Sequence, residues 1–327
     1  MLVIKLVGGL ASQLHKYSVA LSISKEIGCD LKVDCSFFDK RQLRFNPIMY
    51  YNLPSLGFEP SIASDDDICK AKGYSTFNSC IYKISNSTCL DSISQGSLKR
   101  LFSYYERKLY VSGMLDKGVY NVDISDVKSK EWRDDLISKY EDSIYISGEF
   151  GMNFDIIEDV RDEVSARVKS CKISKQAGEI LNLIKQNKNN SVAVHVRRGD
   201  YVDNASTNDF HGTCNVEYYR KCMRELEDRN IDGLYLFFSD DIEWVKKEFS
   251  SFIPDNSYFV EGNNAHEDFS LMTHCSFHVI ANSGFSGFAA WLSQVPEFNV
   301  FSPSNWFLNE SANTNQLKML PKKWNYM

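Results

Sequence analysis

The spacing of apolar and polar residues is most regular in the second half of the chain. From residue 191 onward, short apolar runs alternate with amphipathic stretches, which predicts strands and helices in alternation. The predicted strands are Val192–Val196, Leu234–Phe238, Ser257–Val260, Phe277–Ala281 and Asn299–Phe301. The predicted helices are Val216–Asp228, Ile242–Phe249, Glu267–His274 and Phe285–Ser293. This order favours a parallel, doubly wound sheet and therefore an α/β fold.

The first half contains one clear unit, at the amino terminus. A strand over Leu2–Val7, a helix over Leu10–Ile27 and a strand over Leu31–Val33 form a predicted βαβ unit. Gly8 and Gly9 lie between the first strand and the helix. Their backbone N–H groups could approach a nucleotide sugar, or they could form a tight turn without a ligand. The two residues alone favour the plain turn.

The stretch from residue 37 to 130 has few readable patterns. Its aromatic residues favour a core between short helices over surfaces that stack on sugar rings. Asp65–Asp67 favours an exposed helix start over a metal site, because consecutive residues do not face one point. A short strand is predicted at Tyr145–Ser147.

Two amphipathic helices and a polar run indicate where the first domain ends. The helices are marked by apolar residues spaced over 157–168 and 177–184, and the polar run is Gln186–Asn190. The predicted divisions are a first domain over 1–188, a second domain over 189–302 and a carboxyl-terminal tail over 303–327.

Composition excludes several classes of protein. A chain of 327 residues with a net charge of −6 is typical of a soluble globular protein and argues against a nucleic-acid surface. Its nine cysteines include no Cys-x-x-Cys pair, which disfavours a disulfide framework and a zinc site. No run approaches the roughly 18 apolar residues of a membrane span. We therefore expect a cytoplasmic protein with reduced cysteines.

The apolar run after residue 191 ends abruptly at Arg197 and Arg198, followed by Gly199 and Asp200. Ligands of open α/β sheets bind beyond the carboxyl ends of strands. Two guanidinium groups at that place suit a diphosphate, because their planar forks bind oxyanions with two hydrogen bonds. An ordinary strand followed by a charged surface loop is an equally open interpretation. Gly199 is expected to give the turn freedom at positive φ.

Four stretches, in the same order, resemble motifs of the family 11 glycosyltransferases, the α-1,2-fucosyltransferases. The central one reads His-Val-Arg-Arg-Gly-Asp-Tyr and resembles the family's His-x-Arg-Arg-Gly-Asp-Tyr signature. The others resemble an amino-terminal Gly-Gly-Leu-Gly-Asn-Gln, a Phe-Ser-Asp-Asp turn and an Asn-Ser-x-Phe-Ser helix entry. The four stretches are Gly8–Gln13, Ser191–Tyr201, Leu236–Asp241 and Ala281–Leu292. The resemblance implies a GT-B fold, in which two Rossmann-like domains face a cleft and the tail packs back on the first domain.

The resemblance also implies how the donor's diphosphate is held. Arg197 aligns with an arginine that holds the β-phosphate in related fucosyltransferases, and Arg198 would orient the loop by pairing with a carboxylate. Asp200 is the nearest carboxylate in sequence. The turn formed by Ser283, Gly284, Phe285 and Ser286 would begin a helix whose N–H groups bind phosphate, and Ser283 would also cap that helix.

Two further residues gain a role from the resemblance. A lone strand histidine such as His195 is more often a core residue, but the matching histidine contacts guanine in related fucosyltransferases. Asp268 falls where a guanine-binding aspartate precedes a helix, and an ordinary charge at a helix start is an equally open interpretation. No general base stands out, and Asp200, Asp203 and Glu149 are the candidates.

The chain departs from the family pattern at two places. Ala11 and Ser12 stand where the family has Gly and Asn, and Gly287-Phe288 stands where it has Trp-Trp. The loss of an indole at Gly287 is expected to widen or reshape the pocket wall.

The leading hypothesis is therefore an inverting glycosyltransferase that moves L-fucose from GDP-β-L-fucose to O2 of a galactose. The departures keep a second hypothesis open, in which the same architecture uses another donor or linkage. A third, an interaction protein, is suggested by the adhesion tripeptide Arg198-Gly199-Asp200, which lies unfavourably after a buried strand.

Cofactors, partners and location follow from the resemblance. No metal cofactor is expected, since family 11 enzymes act without a divalent metal and no Asp-x-Asp follows a strand beside the basic loop. The expected partners are GDP-fucose and a galactose-terminated glycan, either free or lipid-linked, in the synthesis of an O-antigen or capsule. The expected location is the cytoplasm, including the inner face of a bacterial inner membrane.

Overall fold

Two parallel β-sheets, one in each of two units, carry the fold. The computed structural model describes residues 1–38, 49–74, 78–80, 82–83, 119–122, 130–138, 142–148, 151–203 and 205–327. One unit comprises Met1–Tyr51 and Glu59–Phe150, and the other comprises Asn52–Phe58 and Gly151–Met327. Both are α/β units, which confirms the predicted fold class. The cleft expected between them stays a prediction.

The first unit is built on a five-stranded sheet in the order β3-β2-β1-β5-β4, with every pair parallel. Its strands are β1 (Leu2–Lys5), β2 (Leu31–Asp34), β3 (Ser61–Ile62), β4 (Val119–Val122) and β5 (Ile144–Gly148). Its helices are α1 (Leu10–Ile27), α2 (Asp65–Ala71) and α3 (Lys130–Ser138), with a 3₁₀ helix at Ser36–Phe38. The predicted βαβ unit is confirmed as β1-α1-β2.

The predicted helix start at Asp65–Asp67 is also confirmed. Ser64 and Asp67 form a capping box, in which the Asp67 N–H donates to Ser64 Oγ at 3.2 Å and the Ser64 N–H donates to Asp67 Oδ2 at 2.9 Å. The acidic run therefore serves to begin α2, where carboxylates also complement the helix dipole.

The second unit is built on a six-stranded sheet in the order β11-β10-β9-β6-β7-β8, again with parallel pairs. Its strands are β6 (Ser191–Val196), β7 (Leu234–Ser239), β8 (Ser257–Phe259), β9 (Phe277–Val279), β10 (Val300–Ser302) and β11 (Asn325–Tyr326). Its helices are α4 (Arg161–Lys169), α5 (Lys175–Gln186), α6 (Gly199–Asp203), α7 (Ala205–His211), α8 (Val216–Asp228), α9 (Ile242–Glu248), α10 (Ala265–Thr273), α11 (Gly284–Leu292) and α12 (Glu310–Met319). Three 3₁₀ helices lie at Leu53–Leu56, Asp155–Val160 and Glu297–Asn299.

The strand β6 lies at the centre of this sheet, and each of its six residues is buried. That burial on both faces explains why it reads as a nearly continuous apolar run. From β6 the chain moves outward through β7 and β8, then returns to the other side of β6 at β9. The direction of winding thus reverses between β6 and β9. A crevice beyond the carboxyl ends of these two strands is where doubly wound sheets bind ligands.

The division into units differs from the predicted boundary at residue 188. That residue falls inside the second unit, between α5 and β6, because α4 and α5 pack on α10. The tail after residue 303 belongs to the same unit, where β11 pairs with β10 and Trp324 packs 6.0 Å from Phe154.

None of the helices in the described part of the chain has both the length and the apolar character needed to cross a membrane.

Candidate active site

The carboxyl end of β6 places Arg197 and Arg198 at the point where the winding of the sheet reverses. Both arginines are held by carboxylates that follow β7, the neighbouring strand. Since β6 and β7 are parallel and in register from Ser191 to Val196, their carboxyl ends lie side by side. The sheet therefore brings two adjacent arginines against two adjacent aspartates.

Asp240 holds the backbone and the side chain of this turn together. Its Oδ2 lies 2.8 Å from Nη1 of Arg197, and its Oδ1 accepts a hydrogen bond of 2.8 Å from the N–H of Arg198. A Cβ atom at Gly199 would lie 2.6 Å from Asp240 Oδ2. Glycine is thus required for the close approach of a carboxylate. The expected positive φ at Gly199 is wrong, since Gly199 begins α6 and does not take a left-handed conformation.

Asp241 holds Arg198. Nε of Arg198 donates to Asp241 Oδ2 at 3.0 Å, and the guanidinium carbon lies 3.8 Å from the centroid of the Trp244 ring. Asp241 Oδ1 also accepts from the N–H of Trp244 at 3.2 Å, which makes Asp241 the N-cap of α9. An orienting role for Arg198 agrees with this geometry.

The turn after β7 both supports Arg198 and begins α9. Arg198 pairs with the carboxylate of Asp241, which follows the neighbouring strand β7. The spacing Asp240-x-x-Glu243 resembles a capping box in the sequence, but this expectation is wrong, because the N-cap of α9 is Asp241, one residue later. The side chains of Asp200 and Asp203 lie outside the described part of the structure, as does all of Glu149, so their roles stay predictions.

The two arginines differ in how much of each side chain reaches solvent. The side chain of Arg197 is 32% exposed, and its guanidinium carbon lies 5.4 Å from the centroid of the Tyr201 ring. The side chain of Arg198 is 19% exposed, between its carboxylate and an indole face. Arg197 is therefore the arginine that can offer donors to a bound anion, since its charge is fixed and its position is set by Asp240.

His195 is buried one residue before the end of β6 and bonded to α11. Its Nδ1 lies 2.9 Å from Oγ of Ser286, and its carbonyl oxygen accepts from Tyr219 Oη at 3.1 Å. Burial, together with the charge of Arg197, lowers the pKa of His195 to about 3. The imidazole is therefore neutral at pH 7 and can offer one donor and one acceptor.

The first turn of α11 meets the end of β6 through this bond. Ser283 is the N-cap of α11, as predicted, and accepts from the N–H of Phe285 at 3.4 Å. A Cβ atom at Gly284 would lie 2.6 Å from Cε of Met152. The tight packing against Met152 therefore favours glycine at this position. The remaining N–H groups of this turn and the helix dipole favour an anion.

Gly287, one of the departures from the family pattern, faces an indole from elsewhere in the chain. A Cβ atom there would lie 2.9 Å from the Trp306 ring, and the Trp306 Nε1–H donates to Ser302 Oγ at 3.1 Å. Phe288 is buried and lies 5.7 Å from the Phe154 ring. Trp306 therefore fills the space beside Gly287, and the expectation that this departure widens or reshapes the pocket wall stays a prediction.

Asp268 lies in the first turn of α10, which packs beside α11. Its Oδ1 accepts from Asn263 Nδ2 at 3.0 Å. Burial, chiefly, and the charge of Glu267 raise the pKa of Asp268 to about 6, against the lowering effect of Asn263. Glu267 instead closes a capping box with Asn264, as the spacing Asn264-x-x-Glu267 predicts, and accepts from the N–H of Asn264 at 2.7 Å.

The glycines of the first unit form a turn without a charged side chain in it. Gly8 is left-handed, with a φ of 82°, and Gly9 is the exposed N-cap of α1. Gln13 is buried and donates from Nε2 to the carbonyl oxygens of Gly8 at 2.9 Å and Tyr50 at 2.8 Å. The turn is thus held by amide contacts, and a donor-binding role for Gly8 and Gly9 stays a prediction.

A cavity of about 200 Å³ lies in the second unit beyond the carboxyl end of β10. Its walls include Thr213, Asn215, Lys221 and Ser304. None of the residues predicted for donor binding lines it, so it is separate from the crevice at β6 and β9.

No group of three or more residues able to hold a metal ion occurs within the described ranges. The residues that sequence reasoning missed are Asp240, Asp241 and Trp244 as supports of the arginines. The Phe-Ser-Asp-Asp motif contains both aspartates, but the motif alone does not show that they pair with the arginines. The parallel neighbourhood of β6 and β7 is the fact that gives those aspartates their partners.

Comparison with known proteins identifies the family of the chain. The profile described as Glycosyl transferase family 11 matches residues 137–327, more than half of the chain. A protein of Escherichia coli named alpha-1,2-colitosyltransferase is 40% identical over 137 residues, which cover 41% of this chain and 47% of that protein. The O-antigen biosynthesis glycosyltransferase WbnK of Escherichia coli is 34% identical over 139 residues, covering 41% and 44%. The matched part is thus less than half the length of these relatives.

Two solved structures are similar at low identity. Fucosyltransferase NodZ from Bradyrhizobium superposes with a TM-score of 0.47 and 13% identity, covering 90% of this chain and 93% of that one. POFUT1 in complex with GDP-fucose gives a TM-score of 0.41 and 11% identity, covering 90% and 95%.

Proposed function

Because the chain belongs to glycosyl transferase family 11, we propose that it is an inverting transferase that moves L-fucose from GDP-β-L-fucose to O2 of a galactose. The donor's diphosphate would lie at the carboxyl ends of β6 and β9. Arg197, the first turn of α11 and His195 would contact the donor, and Arg198 would orient the loop.

The main support for this proposal is the position of the Arg197 guanidinium group. It lies at the reversal point of a parallel sheet, 2.8 Å from Asp240, and one strand end away from the N-terminus of α11. When the glycosidic bond breaks, negative charge grows on the β-phosphate. A positive group that is already in place stabilises that charge without reorganisation, so it favours the transition state over the bound donor.

The reaction would proceed by one displacement. The acceptor O2 attacks the anomeric carbon while the bond from that carbon to the β-phosphate oxygen breaks, and GDP leaves with the bonding electrons. The hydroxyl proton passes to a general base, for which Asp200, Asp203 and Glu149 stay the candidates. A single displacement turns the β-linked donor into an α-linked product.

A second donor deserves a direct test because of one relative. The protein that is 40% identical to this chain is named for colitosyl transfer with an α-1,2 linkage. Colitose is L-fucose without its 3-hydroxyl group, so a pocket for one sugar is close in shape to a pocket for the other. GDP-colitose is therefore the alternative donor for this chain, with the same linkage.

The name of the relative WbnK places that protein in O-antigen biosynthesis. We propose the same setting here, with O-antigen or capsule repeats as acceptors, either free or lipid-linked. Such acceptors would be used in the cytoplasm or at the inner face of the bacterial inner membrane.

The experiment is incubation of the full chain with GDP-L-fucose or GDP-colitose and a panel of galactose-terminated glycans, followed by mass spectrometry. A matched acceptor with a methyl group on galactose O2 is the control. We expect transfer to the free acceptor and none to the methylated one. Transfer to the methylated acceptor would rule out the O2 linkage, and no transfer from either donor would contradict the proposal.

A further inference from the structure

The loop between β8 and α10 holds two hydrogen-bond acceptors side by side. Asn263 precedes the helix and Asp268 lies in its first turn, with Asn263 Nδ2 donating to Asp268 Oδ1 at 3.0 Å. Both residues follow the carboxyl end of β8, on the same edge of the sheet as Arg197. This acceptor pair is defined by the carboxylate of Asp268 and the carbonyl oxygen of Asn263.

The orientation of the Asn263 amide is fixed by the carboxylate. Only the NH₂ side of the amide can donate to Asp268, so the carbonyl oxygen must point elsewhere. That oxygen is buried, and no donor among the described residues bonds to it. A buried polar atom without a partner is unfavourable and rare, and it calls for a specific explanation such as a bound ligand.

The Asp268 carboxylate is also short of donors. Within the residues that the structure describes, Asn263 supplies its only hydrogen bond. The neighbouring Glu267 is already committed, accepting from the N–H groups of Asn264 at 2.7 Å and Ser174 at 2.6 Å. Burial raises the pKa of Asp268 to about 6, which is the response of a carboxylate whose charge is not balanced. Additional donors would stabilise its ionised form.

Aromatic contacts connect the acceptor pair to the end of β6. Phe269 follows Asp268 in sequence and lies 5.2 Å from the Phe285 ring, which in turn lies 5.5 Å from His195. Phe285 is only partly buried. If a planar base lay along this line, the edge of the base would reach the acceptor pair. The diphosphate of the same nucleotide would then lie toward Arg197.

We propose that the Asn263 carbonyl oxygen binds the 2-amino group of guanine, which deepens the proposed function and rests on it. Guanine presents three N–H bonds on one edge, one at N1 and two at the 2-amino group. Asp268 would accept one from each position, and Asn263 would accept the second N–H of the amino group. Uracil presents a single N–H between two acceptors, and adenine presents an unprotonated N1, so neither can satisfy the pair.

The test compares GDP with inosine diphosphate (IDP), which is GDP without the 2-amino group, by calorimetry on the full chain. The parent should bind GDP more tightly than IDP. Asn263→Ala should weaken GDP by roughly three- to tenfold, the usual worth of a neutral hydrogen bond, and change IDP by less than about twofold. The ratio of the two affinities therefore falls, which a merely structural role would not produce.

Asn264→Ala is the matched control, because it removes the cap of the same helix and leaves the acceptor pair in place. We expect it to lower the melting temperature and to keep the GDP-to-IDP ratio of the parent. If Asn264→Ala reproduces the change in ratio, or if Asn263→Ala weakens both nucleotides equally, the inference is wrong.

A measurement on the unmodified protein keeps the inference testable if Asn263→Ala does not fold. N²-methyl-GDP retains one amino N–H and lacks the other, so the parent should bind it less tightly than GDP. Equal binding of GDP, IDP and N²-methyl-GDP would overturn the inference while leaving the proposed function intact. Failure of the parent to bind GDP at all would instead contradict the proposed function.

Discussion

The turns that follow β1 and β6 occupy equivalent places in their two sheets and are built from different chemistry. Each connects the carboxyl end of a central parallel strand to a helix. After β1, the turn contains Gly8 and Gly9, and Gln13 holds it through the carbonyl oxygen of Gly8. After β6, the turn carries Arg197 and Arg198, and carboxylates from the next strand hold them.

A strand-end turn that is to hold a diphosphate needs charge that is fixed in place. Backbone N–H groups at a glycine turn offer partial charge, whereas guanidinium groups offer full and permanent charge. That charge is useful only if it is positioned, and each arginine here has its own aspartate. The turn after β6 is therefore suited to stabilise a leaving group, and the turn after β1 to approach a ligand closely.

The largest effect is expected from Arg197→Lys. Lysine keeps the charge but loses the planar fork that Asp240 aligns, so stabilisation of the transition state falls more than donor binding. We expect kcat to fall by about 10²–10³-fold, the usual cost of one such donor. Steady-state kinetics measure this, with melting curves to exclude unfolding.

Arg198→Lys is the matched control for that experiment, because Arg198 is half-buried against Trp244 and should act by orienting the loop. Its loss of kcat should be the smaller of the two. A folded Arg197→Lys enzyme with the parent's kcat would show that the diphosphate is held elsewhere.

The second effect concerns nucleotide affinity and its dependence on pH. Asp268→Ala should weaken GDP by about 1.5–3 kcal/mol, the worth of hydrogen bonds to a charged group. Since the pKa of Asp268 is about 6 and only the ionised carboxylate accepts both N–H groups, GDP affinity of the parent should fall as the pH drops from 7 to 5. The mutant should lose that slope. Calorimetry at several pH values measures both the loss of affinity and the loss of the pH dependence. If Asp268→Ala binds GDP as tightly as the parent, Asp268 does not belong to the site.

A smaller effect is expected from Asp240→Asn, which preserves size and keeps one acceptor for the Arg198 N–H. The ion pair with Arg197 is lost, and the displaced guanidinium should lower kcat by about tenfold, within the range known for misplaced groups. KM should change little. Asp241→Asn, which acts on Arg198 instead, is the comparison, and equal kcat values for Asp240→Asn and the parent would show that Arg197 positions itself.

Substitutions in the turn after β1 should lower the free energy of unfolding of the protein. Gly8→Ala places a side chain at a φ of 82°, which costs about 1–2 kcal/mol in unfolding free energy. Gly9→Ala, at a φ of −75° with open space around a Cβ atom, should cost less than about 1 kcal/mol. Urea unfolding measures both. GDP-fucose affinity of Gly9→Ala then tests its predicted donor role, and an unchanged affinity would remove Gly9 from that role.

The smallest effect is expected from removal of metal. If Arg197 and the first turn of α11 neutralise the leaving group, activity should survive EDTA within about twofold. Complete loss of activity, restored by Mn²⁺ or Mg²⁺, would show that fixed protein charge is not enough.

The regular part of the fold was predictable because burial imposes a period on the sequence. The helix Val216–Asp228 was predicted with its observed bounds, since a strong apolar stripe and the Asn215 cap mark it. The helices α6 and α7 were missed, as each is too short to show a period, and β11 has two residues. Local pattern carries information about elements of several turns and little about shorter ones.

The candidate site was predictable only where its parts are adjacent in sequence. The Arg197-Arg198 pair was visible, but the aspartates that hold it lie more than forty residues away. Nearness in sequence draws attention to Asp200, whereas the aspartates that follow β7 reach the arginines because β6 and β7 are paired in parallel. The unpaired oxygen of Asn263 could not be inferred from sequence, because it depends on which way one amide is turned.

The short segment Asn52–Phe58 limits how evolution or an engineer can recombine this protein. It belongs to the second unit, where Leu53 and Leu56 are fully buried and Arg167 donates from Nη1 to the Gly57 carbonyl at 2.9 Å. A single crossover near residue 151 would transplant the six-stranded sheet without these side chains and leave a hole in its core. A functional chimera therefore needs three junctions, so the two units are inherited together more readily than apart.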